Sequence, residues 1–195
     1  SEGWINFDYR WLANEFNSQK FKTNLPKFKF NTDKKNLLIW KEQGVGDQIL
    51  LMRFLKDILP YVNNLFIIID KRLYPIIQRS FPKILFFSKD QSAYLDCQLS
   101  LGDLAGLFVK NNLYFKENKN HYIYSDPVIK KKLQKDIKPK NKFLCGISWI
   151  SKTDEIGVNK SITLETLKPV LKIENIEFID LQYSETVSYT HLTLP

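Results

Sequence analysis

From Asn36 onward, short uninterrupted apolar runs alternate with segments of helical period. NLLIW reads as a strand, DQILLMRFLKDILP as a helix, NLFIIID as a strand, LYPIIQRS as a short helix, KILFFS and LDCQLSL as strands, and GDLAGLFV as a helix. A strand that faces water on one side alternates apolar and polar residues, whereas Leu65 to Ile69 is apolar at every position. Such a strand must be covered on both faces, as in a parallel sheet sandwiched between helices. The rhythm therefore predicts an α/β fold with a Rossmann-like parallel sheet. A second unit follows. Pro127 opens a helix that Pro139 closes, FLCGISW reads as a buried strand, TLETLKPVLK as a helix with Thr163 as N-cap, and IEFIDLQ as a strand. Two parallel strands cannot bury their faces, so this second α/β domain is expected to be truncated.

Length and composition narrow the function. The 195 residues, 44% of them hydrophobic, suffice for one domain and part of another. The longest apolar run falls far short of the roughly 20 residues needed to cross a bilayer. Cys97 and Cys145 are far apart and lack the spacing of a zinc site, so buried reduced thiols and a cytoplasmic protein are expected, with the inner-membrane surface as the other location. His121 and His191 are isolated, which leaves little material for a metal site or a Ser/His/Asp relay. The net charge of +8 is concentrated in residues 126–142, where seven Lys and two Asp read as a solvated helix and linker. A nucleic-acid partner would rest on that charge alone, and none is expected.

The chain ends read differently from its middle. GWINFDYRWLANEFN, Gly3 to Asn17, sets Trp4, Phe7 and Trp11 at helical spacing and predicts an amphipathic helix, an appendage closing a preceding helical array. KFKTNLPKFKFNTDKK reads as an extended linker. VSYTHLTLP resembles translated adapter read-through and is set aside together with His191; Ser1 as first residue points to a fragment. The chain thus divides into an aromatic helix (1–20), a linker (21–35), a Rossmann-like α/β domain (36–125), a lysine-rich helix and linker (126–142), the truncated start of a second α/β domain (143–186) and a non-native tail (187–195).

The turn KEQGVGD, which leads from the first strand into the first helix, is where ligands bind in open α/β sheets. Gly44 and Gly46 tolerate positive φ and allow close approach of the backbone. The dinucleotide fingerprint is incomplete, because Ile49 stands where its third glycine belongs. Asp47 reads as a helix N-cap and equally as a carboxylate able to act as general base; a cap facing a ligand does both. Arg53 reads as a solvated helix charge and Asp103 as a cap, while Glu42 and Asp70 sit at strand ends without a rank.

EQGVGDQILLMRFLKDIL, preceded by LLIW and GWINFDYRW, resembles the glycosyltransferase domain that follows tetratricopeptide repeats in bacterial proteins, a domain similar to the heptosyltransferase family. CGISWISKTDEIGVNKSITLETLKPVLKIENIEFIDLQ is similar to the opening of that family's donor domain, so the likeness runs from about residue 3 to 183. It implies a GT-B fold of two Rossmann-like domains and inverting, metal-independent transfer of a sugar from a nucleotide donor to a hydroxyl of a protein, glycan or lipid-linked acceptor. No cofactor is implied, and the upstream repeats would recruit a protein partner. On matching positions, Asp47 would be the base, with Gly44 and Gly46 shaping its loop. Lys160 and Ser161 would lie near the donor pyrophosphate, and Ser148 and Trp149 would line the donor cleft. Lys160 stands where related proteins often carry Arg, which keeps the charge and loses the bidentate fork. The fragment itself is expected to be inactive. The rival reading is a non-catalytic α/β scaffold attached to helical repeats. Core aromatic for Trp149 and solvated lysine for Lys160 are the plain alternatives.

Overall fold

The first sheet is built around β1 (Lys35–Trp40), whose residues 37–40 are all buried. Parallel partners lie on both sides of it: β2 (Val62–Ile68) and, beyond that, β3 (Leu85–Phe86), with β4 (Cys97–Ser100) on the other flank. The order is therefore β3-β2-β1-β4. This computed structural model describes residues 2–14, 16, 18–30, 33–109, 121–137, 142–151 and 157–182, without the side chains of Ile5 and Val158. Residues 1–127 group into one compact unit and 128–195 into another.

Alternation along β1 explains the two layers of core. Leu37 and Ile39 point into a large cluster with Met52, Leu55, Ile58, Leu104 and their neighbours. These helical residues come from α2 (Val45–Leu51), α3 (Leu55–Ile58), the 3-10 turns Met52–Phe54 and Leu59–Tyr61 that tighten the same stretch, and α5 (Leu101–Phe108). Leu38 points to the opposite face, where Phe66 and Leu95 join it and Phe21, Leu25 and Phe87 close over them. The short helix α4 (Tyr74–Ser80) follows β2 and buries Ile77.

Two expectations change here. The aromatic segment is not one helix but α1 (Glu2–Ile5) followed by a 3-10 helix, Phe7–Leu12. It belongs to the first unit, because Trp11 packs on Trp40 at 5.7 Å. The stretch read as a linker is extended, yet it is part of the fold: Phe28 is buried, and its N–H donates to the Gln98 carbonyl at 2.8 Å. Lys27 bridges Gln98 in parallel, so this strap covers the outer edge of β4, which would otherwise present unpaired peptide groups.

The second unit contains α6 (Pro127–Asp136) from its second residue on, β5 (Phe143–Ile147), α7 (Leu164–Leu171) and β6 (Ile176–Asp180). Thr163 caps α7 as expected, accepting from the Thr166 N–H at 3.2 Å. β5 and β6 pair in parallel. The strand read as buried is largely open: Phe143 is 81% exposed, and Phe178 of β6 is the buried member of the pair. Cys145 is accordingly half-buried, while Cys97 is buried. Residues 138–141 of the lysine-rich linker, Pro139 among them, and the tail with His191 lie outside the described residues. No helix among the described residues is long and apolar enough to cross a membrane.

Candidate functional site

The turn after β1 takes its shape from three consecutive residues. Glu42 turns inward and is buried, Gln43 adopts φ of 62°, and Gly44 is the N-cap of α2 in extended conformation. The left-handed position thus falls on glutamine, and neither Gly44 nor Gly46 has positive φ. A Cβ on Gly46 would meet nothing within 4 Å, so its backbone faces open space, whereas one on Gly44 would meet Asp47 Oδ2 at 3.5 Å. Asp47 is the N3 residue rather than the cap itself. Its Oδ2 accepts the Gly44 N–H at 3.2 Å, half of a capping box whose other half glycine cannot supply. Its side chain stays exposed. Gln48 holds the turn from beneath: buried, it donates from Nε2 to the Gln43 carbonyl at 3.1 Å and accepts the Asp70 N–H at 3.0 Å.

Between β1 and β4 the chain direction of the sheet's connections reverses, and in doubly wound folds the crevice at that switch point is the usual ligand site. Here the protein's own N-terminal segment occupies it. Arg10 donates from Nη2 to Glu42 Oε2 at 2.8 Å, to Asp103 Oδ1 at 2.8 Å and to Ser100 Oγ at 3.0 Å. Its Nη1 donates to the Phe7 carbonyl at 2.8 Å, and its guanidinium lies 4.1 Å from the Phe7 ring centroid. Lys27 closes the cluster, 2.9 Å from Asp103 Oδ2 and 3.2 Å from Asp8. Ser100, not Asp103, is the N-cap of α5. Arg53, read as solvated, lies 5.7 Å from the Tyr122 ring. A cavity of about 140 Å³ remains beside Phe7, Lys27 and Asp103. That is well under the roughly 300 Å³ at which small-molecule pockets begin.

Burial pushes the Glu42 carboxyl above its ordinary range, and the Arg10 guanidinium offsets this only in part. Burial also pushes Asp103 upward, but Lys27 and Arg10 together outweigh it and hold the carboxyl below its ordinary range. A depressed carboxylate stabilises the fold above its unfolded pKa of about 3.9 and loses that contribution as pH falls through its folded value. Asp103→Asn should therefore cost most near neutral pH, and the gap to wild type in urea denaturation should narrow steadily below about pH 4. A gap that widens on acidification would show that Asp103 is not held ionised. Burial pushes the Cys97 thiol up to about 11, so it is protonated and unreactive at neutral pH.

In the second unit, the matched residues lie on two segments at the carboxyl end of β5. Ser148 and Trp149 follow the strand directly, and Ser161 Oγ accepts the Ser151 N–H at 2.9 Å while donating to the Gly157 carbonyl at 2.6 Å. The Ile162 N–H donates to the Trp149 carbonyl at 2.9 Å. Trp149 is half-buried, and Ser148 and Lys160 are exposed. Gln182, which follows β6, reaches across to residues 148–150. Gly44, Gly46 and Asp47 thus share one turn, and Ser148 and Trp149 share another, to which the segment of Ser161 is hydrogen-bonded. Arg10, Ser100, Gln48 and Gln182 were not among the expected residues; an arginine inside FDYRWL, among aromatic neighbours, was the available signal for the first.

No protein-family model matches the chain, and no curated protein matches it. Among solved structures, it is similar to the iron-containing dodecameric glycosyltransferase TibC from enterotoxigenic E. coli H10407, with a TM-score of 0.50 and 11% identity over 89% of this chain. The match spans 48% of that structure, about half its length. At this identity the likeness concerns the fold: a parallel α/β sheet arranged as in a bacterial glycosyltransferase.

Proposed function

We propose that this chain supplies the acceptor-binding domain and the start of the donor-binding domain of a GT-B-type glycosyltransferase, of the heptosyltransferase-like kind linked to tetratricopeptide repeats. The donor is a nucleotide sugar and the acceptor a hydroxyl of a protein, glycan or lipid-linked molecule. Asp47 takes the acceptor proton as that oxygen attacks the anomeric carbon, and the nucleoside diphosphate leaves with the bonding pair. Lys160 and the segment around Ser161 offset the charge that develops on the diphosphate, while Ser148 and Trp149 contact the donor. The observation that carries this reading is the Asp47 carboxylate: exposed at the carboxyl edge of a parallel sheet, tied by Oδ2 to the Gly44 N–H, beside bare glycine backbone. The fold of the structural neighbour supports it.

The test is Asp47→Asn in the full-length protein, assayed with UDP-, GDP- and ADP-sugars. Transfer should fall about a hundredfold or more with nucleotide binding unchanged. Undiminished transfer would remove Asp47 from the chemistry. A second reading, a binding scaffold, draws on the filled switch-point crevice, where Arg10 stands in place of a ligand. It predicts that wild-type protein turns over none of these donors and that Asp47→Asn leaves partner binding intact.

A further inference from the structure

In the turn that follows β5, the N–H groups of Trp149, Ile150 and Ser151 and the carbonyls of Trp149 and Ile150 are all engaged. The Gln182 side chain does most of this. Its Oε1 accepts the N–H groups of Trp149 at 3.0 Å and Ile150 at 2.9 Å, together with the Ser148 hydroxyl at 3.2 Å. Its Nε2 donates to the Ile150 carbonyl at 2.9 Å. The backbone of Gln182 is itself fixed, because its N–H donates to Asp180 Oδ1 at 2.6 Å and the Leu181 N–H continues the ladder to the Ile147 carbonyl at 2.8 Å. One amide therefore reads three donors and one acceptor of the same turn, which no other uncharged side chain of that length can do.

We infer that Gln182 is a positioning residue: it sets the geometry in which Ser148 and Trp149 meet a nucleoside diphosphate. This rests on the donor-binding reading above. Two features separate the role from ordinary fold maintenance. Ser148 and Ile150 are exposed and Gln182 is only half-buried, so these hydrogen bonds compete with water and contribute little to global stability. The Ser148 hydroxyl is the longest of the three donors to an oxygen that has two lone pairs, so it is the contact most readily given up to a ligand. The other end of the turn is held separately by Ile162 and Ser161, so loss of Gln182 should release residues 148–150 without releasing the unit.

The experiment compares wild type, Gln182→Ala and Gln182→Glu in the full-length protein, by amide hydrogen exchange and by titration with UDP, GDP and ADP. In Gln182→Ala, exchange at Trp149 and Ile150 should rise at least tenfold while β6 and α7 keep their protection, and nucleoside diphosphate affinity should fall about tenfold. Gln182→Glu retains the acceptor but turns a second oxygen on the Ile150 carbonyl. Its turn should exchange fast at neutral pH and regain protection as pH falls through the carboxyl pKa of about 4.3, where the protonated acid again donates. Unchanged exchange at 149–150 in both variants overturns the positioning role. Faster exchange with unaltered diphosphate affinity overturns it too. Wild-type protein that binds none of the three diphosphates overturns the donor-site reading, whatever the exchange data show.

Discussion

Arg10→Met should cost the full-length protein about 3 to 5 kcal/mol of folding stability, the range for removing one partner of a buried ion pair. The side chain of Glu42 is fully buried, and that of Arg10 is only 7% exposed. Methionine fills much of the arginine stem's volume, so the loss is electrostatic and not a cavity. Glu42 is left without the guanidinium that offsets its burial, whereas Asp103 keeps Lys27 at 2.9 Å. The variant also loses the stacking of Arg10 on Phe7, at 4.1 Å, and on Trp11, at 4.6 Å. Two further measurements separate charge from packing. The deficit should shrink on acidification: a Glu42 carboxyl raised further by the loss of Arg10 penalises the fold only when ionised, so the penalty is absent below its unfolded pKa of about 4.3 and grows as pH rises through the folded value. The double variant Arg10→Met/Glu42→Met should recover most of the loss, since replacing both members by apolar groups is often neutral. A single-variant cost under about 1 kcal/mol in urea denaturation would mean that the cluster is solvated and that Arg10 does not secure the N-terminal segment.

That cluster also marks how far the sequence could be read. The strands came through because continuous apolar runs such as LLIW and FIII have few alternatives, and their observed limits, Lys35–Trp40 and Val62–Ile68, sit within two residues of the expected ones at most ends. Arg10, Glu42, Ser100 and Asp103 belong to elements up to 93 residues apart, and nothing local joins them. Only the strand order places the ends of β1 and β4 side by side, and order is a property of the whole sheet. Phe7–Leu12 reads as part of an α-helix because a 3-10 turn and an α-turn place aromatics on nearly the same face over so short a span. The strap at residues 26–28 reads as linker because Pro26 and the lysines around it carry no helical or strand pattern, whereas its attachment to β4 is made by peptide groups, which side-chain patterns do not report. On the turn itself, Asp47 was legible as a residue of the helix start, but the roles of Gln48 and Gln182 were not, since a side-chain amide leaves no periodicity to detect.

Gly102→Ala tests the same cluster from the opposite side. Gly102 lies inside the first turn of α5 with ordinary helical backbone, so the left-handed region plays no part in its selection. Alanine would be favoured there by about 1 kcal/mol on helix propensity alone. What excludes it is space. An added methyl would overlap Glu42 Oε1, lie 2.7 Å from Glu42 Cδ and reach within 3.0 Å of Phe7 Cε1. In a surface site a glutamate would swing aside, but this one is held by Arg10 through contacts at 2.8 and 3.2 Å, and moving it breaks those bonds without moving the charge into water. The substitution should therefore destabilise by about 3 kcal/mol, at the upper end of the range for overpacking. The decisive measurement repeats it in a Glu42→Ala background, where the obstructing carboxylate is gone and Arg10 still pairs with Asp103. There Gly102→Ala should be nearly neutral, giving a coupling energy of about 2 to 3 kcal/mol. Equal costs in the two backgrounds would show that the glycine answers to the helix or to Phe7, and that Glu42 does not dictate the small residue opposite it.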